Sequence, residues 1–121
     1  MKHKKRAHLD TIFTQVQEYV ESALSTFSHV IQNVKEDHFE SRYHLAILLH
    51  QTYNFGDSLQ HFKKAALLRP KDHTVLLQLA IVYFDLGDYD MCIEHIETAL
   101  AESPHYVDAL FYMGMAKLRN K

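Results

Sequence analysis

The sequence predicts an all-α protein built from pairs of helices stacked one after another, and three observations lead there. The stretch YNFGDSLQHFKKAALLRP, residues 53–70, returns in altered form as GDYDMCIEHIETALAESP, residues 87–104, thirty-four residues on. The two prolines of the chain, Pro70 and Pro104, are separated by the same interval, and helices seldom continue through proline. Between them the apolar residues recur with helical period: Leu76, Leu79, Ala80 and Tyr83 form one stripe, and Cys92, Ile96, Ala99 and Leu100 a second. Gly87 parts the stripes, so the unit reads as helix, tight turn, helix.

The first 38 residues are the least regular. HLDTIFTQVQEYV carries an apolar stripe of Leu9, Ile12, Phe13, Val16 and Val20. In SALSTFSHVIQNV, residues Ala23, Phe27 and Val30 precede Ser58, Phe62 and Ala65 by thirty-five positions. The expectation is a degenerate pair of two helices rather than one long one, although no glycine or proline divides them. Residues 39–72 form the first clear unit, with Leu45, Ala46 and Leu49 on its first helix and Leu59, Phe62, Ala65 and Ala66 on its second. NFGD marks its turn. Asp37 with Glu40, and Asp57 with Gln60, have the spacing of capping boxes at the two helix starts. Residues 73–106 repeat the plan, with Asp72 and Asp88 as N-caps. YVDALFYMGMAKL, residues 106–118, opens a third unit, and Gly114 is expected to let a neighbouring helix approach closely. With no second helix after it, residues 107–121 are expected to cap the stack or begin a further repeat.

Composition bounds the rest. A chain of 121 residues, 47% of them hydrophobic, suffices for one domain with a modest core. The net charge of −2 supplies no general drive toward nucleic acid. Four of the 13 basic residues lie in MKHKKR at the start, which leaves the remainder close to −6. That run lacks interleaved aromatic residues and is expected to be a solvated terminus, not a nucleic-acid or lipid contact. The next stretch, AHLDTIFTQVQEYV, offers no apolar run of signal-peptide or membrane-span length, so a cytoplasmic location with no membrane span is expected. The single cysteine, Cys92, has no partner for an internal disulfide and no metal-site spacing. It sits in a core stripe as a small hydrophobe.

The two units resemble tetratricopeptide repeats, in which a large-x-x-Leu-small-x-x-aromatic stripe is followed by a small-x-x-x-Phe pair and a closing proline. Leu76, Leu79, Ala80, Tyr83, Cys92, Ile96, Ala99 and Pro104 hold those places in the second unit, and Arg42, Leu45, Ala46, Leu49, Ser58, Phe62, Ala65 and Pro70 in the first. Leu110, Met113 and Gly114 begin a third set. Arg42 replaces a large apolar group, Tyr53 the turn glycine, and Ser58 and Cys92 the usual alanine. The resemblance implies a right-handed α-solenoid of antiparallel helix pairs, closed by a capping helix.

Function then rests on surfaces. No nucleophile, base and orienting residue form a recognisable set, and the glycines stand singly, so neither enzyme activity nor a cofactor is expected. Ten histidines invite a metal reading, yet none stands three or four residues from another, so no metal site is expected. His61 and His95, at matching points of the two units, are expected to be solvated on the outer face.

The resemblance places the first helix of each pair on the concave side. That maps Tyr43, Ile47, His50, Leu77, Ile81, Phe84, Phe111 and Met115 onto a partner-binding groove, with Glu40, Thr74 and Asp108 beside them. Family members that grip acidic chaperone tails use lysine, asparagine and arginine on this face. Here Tyr43, Ile47, Leu77, Gln78, Ile81, Asp108 and Tyr112 hold the matching places, so that activity is not expected. A contiguous apolar surface demands a cover. The three candidates are a partner segment, a second copy of the chain and the N-terminal helix of the chain itself. The first makes the protein an adaptor, assembly factor or holding chaperone for an apolar or amphipathic protein segment, resembling in outline the small repeat-containing chaperones of bacterial secretion systems. The alternative is a self-associating structural protein that dimerises through the groove or through Leu110–Leu118.

Overall fold

The computed structural model describes residues 2–33 and 37–120, with side chains from residue 7 onward. Among the described residues six helices follow one another: α1 (Lys2–Asn33), α2 (Phe39–Gln51), α3 (Phe55–Leu68), α4 (His73–Asp85), α5 (Tyr89–Glu102) and α6 (Val107–Arg119). Among the described residues there is no strand, and no helix is long and apolar enough to cross a membrane. α2 pairs with α3 and α4 with α5, successive pairs pack on each other, and α6 lies against α5 and α4. The architecture is the expected all-α solenoid.

The repeat is visible in hydrogen bonds as well as in side chains. The Asn54 N–H donates to Leu49 C=O (2.8 Å) and the Asp88 N–H to Tyr83 C=O (2.9 Å), closing two turns thirty-four residues apart. Each turn passes through a positive φ, at Tyr53 (63°) and Gly87 (83°). Only glycine takes that conformation without crowding its own Cβ, so Gly87 is chemically suited and Tyr53 is strained. Pro70 and Pro104 then stand after α3 and α5, where no further helical N–H is needed.

The core follows the predicted stripes. Ala46, Phe62, Ala65, Ala80, Val82, Cys92, Ile96, Ala99, Ala109 and Ala116 are completely buried. α4 is the most enclosed helix, because pairs on both sides cover it, and seven of its 13 residues are buried. Small residues set the helices close together, and Phe62 and Ile96 fill the space left. Each contributes about 1.5–3 kcal/mol of burial. Ser58, standing where alanine is usual, donates to the Ala46 carbonyl (2.7 Å), so its buried hydroxyl is satisfied. Arg42, the other polar intruder, is 5% exposed. It donates through Nε to Asp37 Oδ1 (3.1 Å) and through Nη1 to His61 Nδ1 (3.1 Å), and Nη2 also meets Asp37.

Four expectations are corrected. The N-terminal region is one continuous helix, not two, because residues 7–33 contain neither glycine nor proline and nothing interrupts the ladder. Asp37 does not cap α2: it pairs with Arg42, while His38 Nδ1 takes the cap by accepting from the Ser41 N–H (3.2 Å). Asp57 does not cap α3, which starts two residues earlier at Phe55 with Asn54 as an N-cap that makes no side-chain bond. Gly114 allows no close approach, since a Cβ there would meet nothing within 4 Å. Asp72 and Asp88 cap as expected, Asp72 accepting from the Thr74 and Val75 N–H groups and Asp88 from Met91.

Candidate functional site

α2, α4 and α6 are the first helices of the successive pairs, and the residues mapped onto the groove all lie on them. Tyr43, Ile47, His50, Ile81, Phe84 and Met115 are half-buried. Phe111 is 60% exposed and Leu77 only 3%. Leu77 therefore belongs to the floor, packed into the core, while the others keep accessible surface. Gln78 and Tyr112 are half-buried on the same helices.

Aromatic packing ties the face together. Phe84 meets Tyr112 edge-on at 5.7 Å and Tyr89 at 5.4 Å, joining α4 to α6 and α5. At the other end Tyr43 stacks on Phe39 (5.6 Å) and stands edge-on to Phe62 (5.9 Å). Between them His50 Nε2 lies 2.6 Å from Asp85 Oδ2, linking α2 directly to α4. Sequence reading had no means of pairing these two, thirty-five positions apart. It also missed the flanking guanidiniums: Arg69 lies over the Phe39 ring at 3.7 Å while pairing with Glu40, and Arg119 over Phe84 at 4.8 Å.

The phenols report the field on this face. Burial first, and then Asp72, pushes Tyr43 above its ordinary value. Burial followed by Asp108 does the same to Tyr106, and burial followed by Asp85 to Tyr112. All three stay un-ionised through neutral pH. Carboxylates and the two guanidiniums of Arg69 and Arg119 thus rim an apolar and aromatic surface.

The N-terminal helix does not fill it. α1 packs along α2, with Phe27 stacked on the His44 ring at 6.1 Å, and no comparable packing joins it to α4 or α6 among the described residues. That removes one of the three expected covers.

The residues read as solvated or inert are now placed. His61 and His95 are half-buried, not fully solvated. His61 accepts from Arg42, and His95 Nδ1 pairs with the Met91 carbonyl (2.9 Å) beside the Tyr83 ring. Burial pushes the Cys92 thiol up to about 11, so it is an unreactive core residue. The side chains of the basic run at residues 2–6 lie outside the described residues, as does Lys121.

Comparison with known proteins agrees with this fold. The family model "Tetratricopeptide repeat" matches residues 73–106. An Arabidopsis thaliana protein, "Probable UDP-N-acetylglucosamine--peptide N-acetylglucosaminyltransferase SEC", is 30% identical over 111 residues, 89% of this chain. The chain spans only 11% of that relative's length. Among solved structures, MamA ("MamA MSR-1 C2") superposes with a TM-score of 0.76 at 17% identity, over 84% of this chain and 58% of its own. PcrH in complex with the chaperone binding region of PopB superposes with a TM-score of 0.65 at 17% identity, over 88% of this chain and 86% of its own. A second structure, PcrH from Pseudomonas aeruginosa, gives 0.64 at 18% identity, over 88% and 81% of the two chains. At these identities the structural likenesses speak for the fold. The matched repeat makes residues 73–106 a tetratricopeptide repeat, and the thirty-four-residue period and the equivalent turns extend that pattern to residues 39–72.

Proposed function

We propose that this protein is a non-catalytic interaction module whose α2, α4 and α6 face receives an apolar or amphipathic segment of another protein. The observation that carries this reading is the row of side chains that core packing leaves partly open: Tyr43, Ile47, Ile81, Phe84, Phe111 and Met115. Aromatic and aliphatic groups held on rigid helices suit insertion of a partner's apolar side chains, because little conformational entropy is lost on binding. PcrH, of the same fold, was solved with a segment of PopB, which supports a peptide as the class of ligand. The role is then that of an adaptor, assembly factor or holding chaperone. The glycosyltransferase activity in the plant relative's name is not carried over, since nearly nine-tenths of that protein lies outside the match.

The test is selection from a random peptide library displayed on phage, run on wild type beside an Ile47→Lys, Ile81→Lys variant. The reading predicts enrichment of apolar or amphipathic peptides on wild type only. Equal enrichment on both proteins, or none on either, contradicts it.

A further inference from the structure

The vacant position lies beside α1, not in the groove. In each clear repeat, three side chains of the second helix face the first helix of their own pair: Ser58, Phe62 and Ala65, then Cys92, Ile96 and Ala99. All six are completely buried. The equivalent residues of α1, Ala23, Phe27 and Val30, remain only half-buried, because no first helix stands in front of them. That surface is covered only in part, Phe27 by the His44 ring of α2.

The chain contains the missing helix in sequence but not in place. Residues 8–20 have the length of α2 or α4, and Leu9, Ile12, Phe13 and Val16 repeat the spacing of Leu76, Leu79, Ala80 and Tyr83. They run straight on from residues 21–33 instead of folding back, and their stripe points into solvent: Leu9 is 63% exposed, Phe13 70% and Val16 53%. The cause is countable. Arg42 precedes Ser58 by 16 positions and Leu76 precedes Cys92 by 16, but Leu9 precedes Ala23 by only 14. The connection is two residues short of a turn and has no glycine. A helical hairpin with too short a hinge relieves the strain by opening and exchanging arms with a second copy.

We propose that the protein forms a domain-swapped homodimer, in which residues 8–20 of each copy pack against Ala23, Phe27 and Val30 of the other. The partner is a second copy for three reasons. The exposed stripe continues the α1–α2 interface already present. It has the apolar spacing of the helix the vacant face requires. The exposed part of Leu9, Ile12, Phe13, Val16 and Tyr19 amounts to on the order of 500 Å² per copy, and the pair buries about 1,000 Å² from these stripes alone, the lower bound for a biological interface. A cleft of about 390 Å³, lined by Phe13, Val16 and Val20 of α1 and by Gln51 and Tyr53, lies along the same stripe. This inference does not depend on the groove reading.

Light scattering on the eluting full chain tests it, with two variants alongside. Wild type is expected at twice the chain mass. Phe13→Glu, at an exposed position that leaves the monomer fold intact, should weaken the dimer at least tenfold. Inserting Gly-Asn between Val20 and Glu21 restores the 16-residue spacing and should give a folded monomer of unchanged helicity. Mixing a Val16→Cys chain with a Phe27→Cys chain and oxidising should yield a covalent heterodimer, with buried Cys92 silent. A wild type that stays monomeric overturns the proposal, as does a dimer indifferent to Phe13→Glu. A dimer that survives the insertion overturns the exchange of arms.

Discussion

Tyr53 holds a conformation that suits glycine, with φ at 63° and its ring 82% exposed. Replacing it should relieve strain at the cost of an edge contact with Phe55. Tyr53→Gly is expected to stabilise the fold by about 0.5–1 kcal/mol, read as a raised midpoint in urea unfolding. His61 gives a second prediction. Burial and then the neighbouring Arg42 and Lys64 hold its imidazole below the ordinary value, against an opposing pull from Asp57. The unfolded chain therefore binds a proton more readily than the native one. Stability from this site is present above about pH 6.5 and is lost as the pH falls through the lowered native value. Wild type should lose more stability between pH 7.5 and 5.5 than His61→Gln, and equal losses would mean that His61 contributes nothing to the pH dependence. Leu77 separates floor from surface: Leu77→Ala should cost about 2–4 kcal/mol of folding stability, which a merely groove-lining residue would not. Side-chain identity alone could not tell Leu77 from Ile81, because a first helix packed on both neighbouring pairs turns adjacent positions into core and surface within one turn. Arg42 was equally opaque, since its partners Asp37 and His61 come from a loop and from the next helix.

Helices were easier to read than their ends. The stripes at Leu76–Tyr83 and Cys92–Leu100 fixed α4 and α5 because apolar period and proline punctuation agree there. Capping boxes at Asp37 and Asp57 failed because a cap is decided by local backbone geometry, and His38 and Asn54 already occupied the turning points. α1 misled for a different reason: its two halves each carry the pattern of a repeat helix, but the residues joining them, Val20 to Leu24, favour helix as strongly as the halves do. α6 offers a test of its own. Gly114 lies in mid-helix with open space where a Cβ would go. Gly114→Ala should therefore stabilise the protein by about 0.5–1 kcal/mol in thermal or urea unfolding. Destabilisation instead would mean that another helix covers that face in solution.

Taken as a stack, the molecule has two unpaired surfaces with different origins. The α1 stripe is open because a turn is two residues too short. The α2, α4 and α6 face, which we propose as the groove, keeps Phe111 60% exposed and Tyr43, Ile47, Ile81, Phe84 and Met115 half-buried. Repetition in the sequence put like residues on the first helices of successive pairs, at a spacing of thirty-four. It could not announce His50 with Asp85, or the arginines over Phe39 and Phe84, which arise only once neighbouring units are packed. The proposed function stands or falls with the groove, and the decisive experiment is fluorescence anisotropy of a peptide selected on the wild-type protein, titrated with wild type, Ile81→Lys and Leu67→Lys. Leu67 lies on α3, away from the face, and is 79% exposed. A lysine at position 81 keeps its aliphatic stem against the core and carries its charge into the groove. Binding should be at least tenfold weaker for Ile81→Lys, with unchanged helicity, and of wild-type affinity for Leu67→Lys. Undiminished binding by a folded Ile81→Lys protein would show that the peptide does not sit in the groove.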